Sequence, residues 1–393
     1  MRIAVISFIV ILCLVNSLKI AQIEKSSILR IGHSGDQQKL IPLHHLSSGH
    51  IEIESQHSKD SSETTSLMMK EDVEQPGHVH NSRVSITPTV MKLGFYYFLV
   101  YLFNVVYNVS NKRVLNVLPL PATMAFLQLL LGIPLFMPFW IAKPPRNLNL
   151  LPLKPLLTAS IAHALGMLTT TYSLYSGAVS FTHVIKSAEP VFSAALSAII
   201  LKNYFAPQVY ITLLPIVFGV ALASSSELSF TWFNFNMAMI SNFFYQLRIV
   251  VSKPLLVKAA DGSKLSGGNL FRLLTIISTI FLFPIALYLE GNSILTSWNN
   301  AAVSRSAVNA IVLDILISGF SFYAYNEISF WILDLVHPIT HAVGNTIRRV
   351  VLIIASAIIF HVPITIQGSI GSFIAVLGSM LYAVAVSKYH PSK

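Results

Sequence analysis

The sequence predicts an all-α integral membrane protein with ten transmembrane helices arranged as two inverted five-helix repeats. Three observations point there. Hydrophobic residues fill 54% of 393 positions and charged residues only 11%, less than half the usual charged share and too few to cover a soluble surface. Apolar runs of about 20 residues, the length that spans ~30 Å of hydrocarbon, recur from Val90 onward. Segments five spans apart repeat one residue pattern. With a mean hydropathy of +0.66, these features exclude water-soluble enzymes and binding domains.

The leader comes first. Arg2 is followed by an apolar stretch from Ile3 to Val15, with the small residues Val15 and Ser17 where a cleavage site needs them. That is the layout of a signal peptide over 1–17, and about a dozen apolar residues are too few to cross a bilayer. Residues 18–88 are polar, rich in Ser and His and without a sustained apolar period, the composition of a disordered targeting segment or linker. His44, His45, His78 and His80 are scattered there without the helical spacing of a metal site. Cys13 is the only cysteine. It lies inside the signal, so disulfides, thiolate metal sites and cysteine nucleophiles are removed together.

The core, 89–393, follows. Its expected spans are 91–110, 121–142, 155–175, 181–201, 206–225, 231–255, 270–289, 309–331, 338–360 and 366–387. Pro134, Pro138, Pro190 and Pro284 interrupt some of them, which neighbouring helices compensate by re-satisfying freed backbone groups. An even number of spans puts both ends of the core on one face. Loops on that face carry Lys143, Arg146, Lys154, Lys202, Lys258 and Lys264, with Lys388 and Lys393 after the last span; the other face has Lys112, Arg113 and Arg305. The positive-inside bias places both ends on the side equivalent to the cytosol.

The repeat links spans four and nine. Thr182-His183, a cation at Lys186 and Ser197-Ala198-Ile199-Ile200 correspond to Thr340-His341, Arg348 and Arg349, and Ser356-Ala357-Ile358-Ile359. Segments five spans apart enter the bilayer from opposite faces, as inverted repeats of secondary transporters do.

Charge carries the functional reading. Residues 1–88 hold eight Lys and Arg against nine acids, and the remainder holds 18 against seven, so the net +10 is −1 in the leader and +11 in the core. A basic membrane core suits an anionic substrate or lipid, and nothing resembles a nucleic-acid binder. Within the spans lie Lys186, Glu189, Arg248, Glu327, Arg348 and Arg349. A charge at mid-bilayer costs about 2.5–3.5 kcal/mol even on the lenient insertion scale, so each is a candidate site residue.

Lys186 and Glu189, three residues apart, are placed to neutralise one another along a helix, which makes Glu189 structural. The remaining cations exceed the acids, and a substrate anion is their natural partner. Arg348 and Arg349 point about 100° apart on a helix; if both face inward they flank one ligand, and if one faces the surface it snorkels. Two guanidinium forks and one ammonium suit a phosphate dianion. The helix openings at Thr182 and Thr340 would add positive dipole ends. Tyr325, one helix upstream, is either a hydroxyl donor or an aromatic packing residue. His183 and His341 fit hydrogen-bonding helix starts better than metal ligation. No GxxxxGK loop, HExxH, cysteine or convincing carboxylate pair supports catalysis or a cofactor.

Two stretches carry a family resemblance. Val179-Ser180-Phe181-Thr182-His183-Val184-Ile185-Lys186 with Glu189-Pro190, and Thr340-His341-Ala342-Val343-Gly344-Asn345-Thr346-Ile347-Arg348-Arg349-Val350, resemble the plastid phosphate translocators of the triose-phosphate and phosphoenolpyruvate branches. Leu115–Thr123 and Arg248–Lys253 match the same family, and the likeness covers nearly all of 90–388. It implies a drug/metabolite transporter fold exchanging inorganic phosphate for phosphorylated three-carbon compounds. By motif position, Lys186, Arg348 and Arg349 would hold the phosphate, while Arg248, Tyr325 and Thr170 would face the carbon or carboxylate end. The chain departs from the pattern at three places. Arg348 replaces a usual Lys, Glu327 a usual Gln, and Met167 stands where triose-phosphate members have His and phosphoenolpyruvate members Asn, which leaves the branch open. The leader suits a plastid bounded by extra membranes, as in apicoplast-bearing parasites. It would equally serve a nucleotide-sugar or other carrier of the same fold in the secretory pathway. An integral membrane enzyme acting on lipid phosphates is the remote alternative.

Overall fold

The computed structural model describes residues 88–142, 144, 152–256, 266–302, 304–336, 338–363 and 365–389. The expected signal, residues 18–87 of the segment after it with their histidines, and the loop cations Lys143, Arg146, Lys258, Lys264 and Lys393 lie outside the described residues. In chain order the elements are α1 Pro88–Val117, α2 Pro121–Ala142, α3 Leu153–Ser176, α4 Val179–Lys186, α5 Glu189–Leu201, α6 Pro207–Ile211, α7 Leu213–Ser225, α8 Trp232–Ser252, α9 Gly267–Ala301, α10 Arg305–Leu335, α11 Pro338–Phe360 and α12 Ile366–Tyr389, with a 3-10 turn at Lys253–Leu256.

Local chemistry sets many of these boundaries. α1, α2, α6 and α11 each begin on proline, whose missing N–H costs nothing in the first turn. Side-chain oxygens of Thr231, Ser266 and Ser304 accept from the N–H groups of Asn234, Asn269 and Ala307, capping α8, α9 and α10. Lys202, at φ 50°, closes α5 in the left-handed region.

Eight stretches among the described residues are long and apolar enough to cross a membrane, counting α4 with α5 and α6 with α7. The two long helices outside that set are α3 and α8, of 24 and 21 residues. Their polar groups, including His163, Thr170, Ser241, Asn242 and Gln246, are buried, because the two helices pack extensively on each other. A hydropathy average sees only composition, whereas packing hides polar groups from lipid.

One expected interruption is present, and three expectations need correction. Span four is interrupted as expected, into α4 and α5, since Pro190 cannot supply the N–H that the carbonyl of Lys186 would take four residues on. Span five breaks likewise after Ile211, four residues before Pro215. Span seven does not stop at 289. α9 runs to Ala301, and its Glu290, nearly fully buried, accepts from the N–H groups of Ala122 (2.8 Å) and Thr123 (2.7 Å) at the start of α2. Lys112, expected in a loop, is likewise helical; its ammonium donates to the carbonyls of Leu174 (2.7 Å), Tyr175 (3.2 Å) and Gly177 (3.0 Å) at the end of α3. Both charges sit where the helix dipoles favour them.

The main helix pairings are α3 with α8, α1 with α10, α7 with α12, and α2 with α9; α2 also meets α10, α3 meets α9, α5 meets α8, and α11 lies against α1 and α4. α7 and α12 approach to backbone contact. A β-carbon added to Gly219 would fall 2.4 Å from the N of Ala375 and 2.6 Å from the O of Gly371, and one on Gly371 would fall 2.5 Å from the N of Ala223 and 2.7 Å from the O of Gly219. Two small-xxx-small pairs thus face each other, the arrangement that lets helices associate closely in lipid. Val114, Leu115, Leu174, Val179 and Leu352 form an apolar cluster joining α1, α3, α4 and α11.

Candidate functional site

The site is built around the break between α4 and α5. Lys186 is the last residue of α4, where the negative end of that helix favours a cation, and Glu189 the first of α5, where the positive end favours an anion. Their side chains pair at 3.7 Å. Arg349, from α11, donates to the Glu189 carboxylate and to the carbonyl oxygen of Lys186. That carbonyl is the one Pro190 leaves without a helical partner, so the guanidinium restores a backbone hydrogen bond and closes an ion pair at once.

The Lys186 ammonium also donates to Ser241 Oγ (3.1 Å) and Thr170 Oγ1 (3.5 Å), and lies 4.6 Å from the Tyr245 ring centroid. Gln246 Nε2 donates to Glu189 at 3.4 Å. The Arg248 guanidinium carbon sits 5.2 Å from the same Tyr245 ring, and its Nη1 donates to His163 Nδ1 at 3.1 Å. Arg348 lies 5.4 Å above the Tyr325 ring, which stands within electrostatic reach of Arg348, Arg248 and Glu189. Tyr325 in turn contacts Tyr107 at 5.8 Å between centroids.

Both arginines of the adjacent pair therefore point inward, Arg349 to the α4–α5 break and Arg348 to Tyr325. Lys186, Arg349, Thr170 and, through Tyr245, Arg248 form one connected cluster; Arg348 and Tyr325 adjoin it. Two expectations fail on geometry. Thr182 and Thr340 do not bring positive helix ends to the cations, because α4 begins at Val179 and presents its C-terminal end at Lys186, while α11 begins at Pro338, ten residues before Arg348. The positive end that does reach the cations belongs to α5. His183 is not at a helix start either: it lies in the last turn of α4 and bonds Asn108 Oδ1 at 3.0 Å.

The charge ledger also changes. Arg272 and Asp314, inside the expected seventh and eighth spans, were left out of it; Arg272 pairs with Glu327, which further accepts from the Tyr323 hydroxyl at 3.1 Å, and Asp314 stands 3.9 Å from Arg113. Glu327 is thus compensated within its own network. What remains at the site is four cations, Lys186, Arg248, Arg348 and Arg349, against the single carboxylate of Glu189, a formal excess of +3. Buried like charges at close range are destabilising unless a counter-charge arrives. Glu189 does more than offset Lys186, since it bridges the cations from two distant segments. Sequence reasoning missed Tyr245, Ser241 and His163, as aromatic and hydroxyl residues are ordinary in membrane helices. For Tyr245 the one available signal was its place a turn before Arg248.

Residues 91–383 match the Triose-phosphate Transporter family. Phosphoenolpyruvate/phosphate translocator 1, chloroplastic, of Arabidopsis thaliana is 39% identical over 297 residues, covering 75% of this chain and 72% of its own. The chloroplastic triose phosphate/phosphate translocator of Flaveria pringlei is 35% identical over 304 residues, 76% of this chain and 72% of its own. Glucose-6-phosphate/phosphate translocator 2, chloroplastic, of Arabidopsis thaliana is 38% identical over 299 residues, covering 75% of each. The chain therefore belongs to the triose-phosphate transporter family and is a transporter rather than an enzyme.

Proposed function

We propose that this protein exchanges inorganic phosphate for phosphorylated three-carbon metabolites, namely triose phosphate, 3-phosphoglycerate and phosphoenolpyruvate, across a plastid membrane by alternating access. One observation carries the reading: a +3 excess of buried charge gathered around Glu189, which asks for a small polyanion. Lys186, Arg348 and Arg349 are assigned to the phosphate, and Arg248, Tyr325 and Thr170 to the carbon or carboxylate end. The names of the relatives, all phosphate translocators of plastids, favour this chemistry.

The same reading takes the core as ten spans in two inverted five-helix halves, α1–α7 and α8–α12. Exchange of each helix for its counterpart in the other half turns α3·α8 into α10·α1, α3·α9 into α10·α2, and α5·α8 into α11·α1, while α2·α9, α4·α11 and α7·α12 map onto themselves. Every one of these pairings is present. α3 and α8 complete the ten, their polar faces turned to each other.

In the empty site Glu189 is a partial counter-ion, and the remaining like charges oppose closure. A phosphate dianion reduces the excess from +3 to +1 and takes over the donors that Glu189 holds. Closure around the loaded site then lets the halves rock. Release on the far side restores the repulsion, so return needs a counter-substrate.

The test is reconstitution in liposomes. Uptake of dihydroxyacetone phosphate should require internal phosphate, and uptake equally fast without it would sink the antiport reading. In the same assay Arg248→Ala should weaken 3-phosphoglycerate and phosphoenolpyruvate about 10- to 100-fold more than dihydroxyacetone phosphate, the worth of a lost charged hydrogen bond. An equal loss on all three would remove Arg248 from the carboxylate. Residues 1–17 and 18–88 are assigned to signal and targeting, so imaging a chain lacking 18–88 should find it outside the plastid; unchanged plastid placement would make that segment a linker only.

A further inference from the structure

Tyr245, on α8, touches three of the six residues assigned above, Lys186, Arg248 and Thr170. Its ring lies against the backbone of Gly166 on α3, where an added β-carbon would sit 3.3 Å from Cγ and Cδ1 and 3.4 Å from Cδ2. A β-carbon at 166 would require the ring to give by a few tenths of an ångström. The ring face, negative in its π-quadrupole, meets two cations, Lys186 Nζ at 4.6 Å and Arg248 Cζ at 5.2 Å from the centroid. The two distances together cap the separation of those cations at 9.8 Å. The ring therefore contacts both the cation assigned to phosphate and the cation assigned to the far end of the substrate.

The hydroxyl of Tyr245 is directed at α3, 3.6 Å from Met167 Sδ and beside Thr170. A thioether is a weak acceptor, so the hydroxyl proton is open to a stronger acceptor even though its oxygen bonds Thr170. Arg248 is itself held in place. His163 accepts from it through Nδ1, which puts the imidazole proton on Nε2, a buried nitrogen without a hydrogen-bond partner among the described residues. The arrangement has two cations against one aromatic ring and a hydroxyl whose proton goes to a weak acceptor.

We propose that Tyr245 is a specificity-determining residue whose ring limits the bulk of the substrate's carbon skeleton and whose hydroxyl contacts an oxygen substituent on it. The inference rests on the phosphate-exchange reading above and deepens it: the site takes short, oxygenated carbon chains because the Tyr245 ring occupies the space a longer chain would need. Gly166 is part of the same device, since it is the ledge that lets the ring lie back far enough for any skeleton to pass.

The experiment compares KM values in proteoliposomes for phosphate, dihydroxyacetone phosphate and glucose 6-phosphate. Tyr245→Phe keeps the ring and its contacts with both cations but removes the hydroxyl. It should raise the ratio of the dihydroxyacetone phosphate KM to the phosphate KM about tenfold, the equivalent of one hydrogen bond. Tyr245→Ala removes the wall and should lower the ratio of the glucose 6-phosphate KM to the dihydroxyacetone phosphate KM. Ratios equal to wild type in both variants, or KM values that rise in parallel for every substrate, would overturn the assignment and leave Tyr245 a packing residue. If the alanine variant loses all exchange, the phenylalanine variant, one oxygen smaller, decides alone. A wild-type protein that does not exchange phosphate would instead strike the function, and the inference with it.

Discussion

Replacing Arg349 with Ala should lower phosphate exchange by more than about 100-fold, because breaking a buried charged cluster by removing one partner costs about 3–5 kcal/mol. Two losses coincide. The guanidinium is assigned to the phosphate, and its departure removes a two-pronged donor that an ammonium does not reproduce. It is also the partner of Glu189; without it the carboxylate has only Lys186 and Gln246 to bind, and it holds the ammonium of Lys186 at 3.7 Å or closer against any incoming anion. The substitution thus disables a second cation that it does not touch. Arg349→Lys should recover part of the exchange, since the charge returns without the fork. Radiolabelled phosphate exchange in liposomes, with protein insertion checked separately, reads both variants. An alanine variant within about tenfold of wild type, a loss of only some 1.4 kcal/mol, would remove Arg349 from the site.

The second large effect lies away from the site and turns on a sign. Gly219→Ala adds one methyl group to a helix, and by helix propensity alone alanine should stabilise it by about 1 kcal/mol. At the α7–α12 crossing the added carbon meets backbone atoms at 2.4 and 2.6 Å, and backbone cannot rotate aside as a side chain would. The helices must separate. Close van der Waals contact is a main source of helix association in lipid, so overpacking here should cost about 3 kcal/mol or more, the upper end of the usual range. Gly371→Ala should behave alike, as its carbon meets Ala223 N and Gly219 O at 2.5 and 2.7 Å. Thermal unfolding of the detergent-solubilised protein is the measurement. A melting temperature at or above that of wild type for Gly219→Ala would mean that the crossing is not tight.

Much of the fold was legible because hydropathy and helix length report the same constraint, a bilayer of fixed thickness. α2 and α11 fall where the apolar runs place them. The errors arise where tertiary contacts override composition. α9 continues past Leu289 because Glu290 is engaged by the start of α2, a partner more than 160 residues away that no local window contains. The break before Pro190 was expected, and the one before Pro215 was available on the same ground, yet Pro134, Pro138 and Pro284, expected to interrupt as well, sit inside continuous helices. A proline alone does not say which carbonyl will find another donor.

The site was legible to the extent that it is made of charge. Lys186, Arg248, Arg348 and Arg349 stand out in apolar runs because lipid penalises them, and the structure gathers them as neighbours or near-neighbours. Arg272 carried the same signal and was overlooked; its pairing with Glu327 removes it from the excess. Tyr245, Ser241 and His163 had no such mark. Their contributions depend on which helix faces which, and that is fixed by the α3–α8 packing rather than by any run of sequence.

The carbonyl of Lys186 has one more implication. Where a helix lacks an amide, the Arg349 guanidinium stands in as a surrogate, drawn from the far half of the chain. The stiffness of the α4–α5 joint is therefore not a property of that segment alone; it is on loan from α11. An anion that drew this fork away would leave the Lys186 carbonyl without that donor and the joint less restrained. On the phosphate-binding reading, occupancy would then be converted into mechanical compliance at one peptide unit, with no relay of intervening residues required.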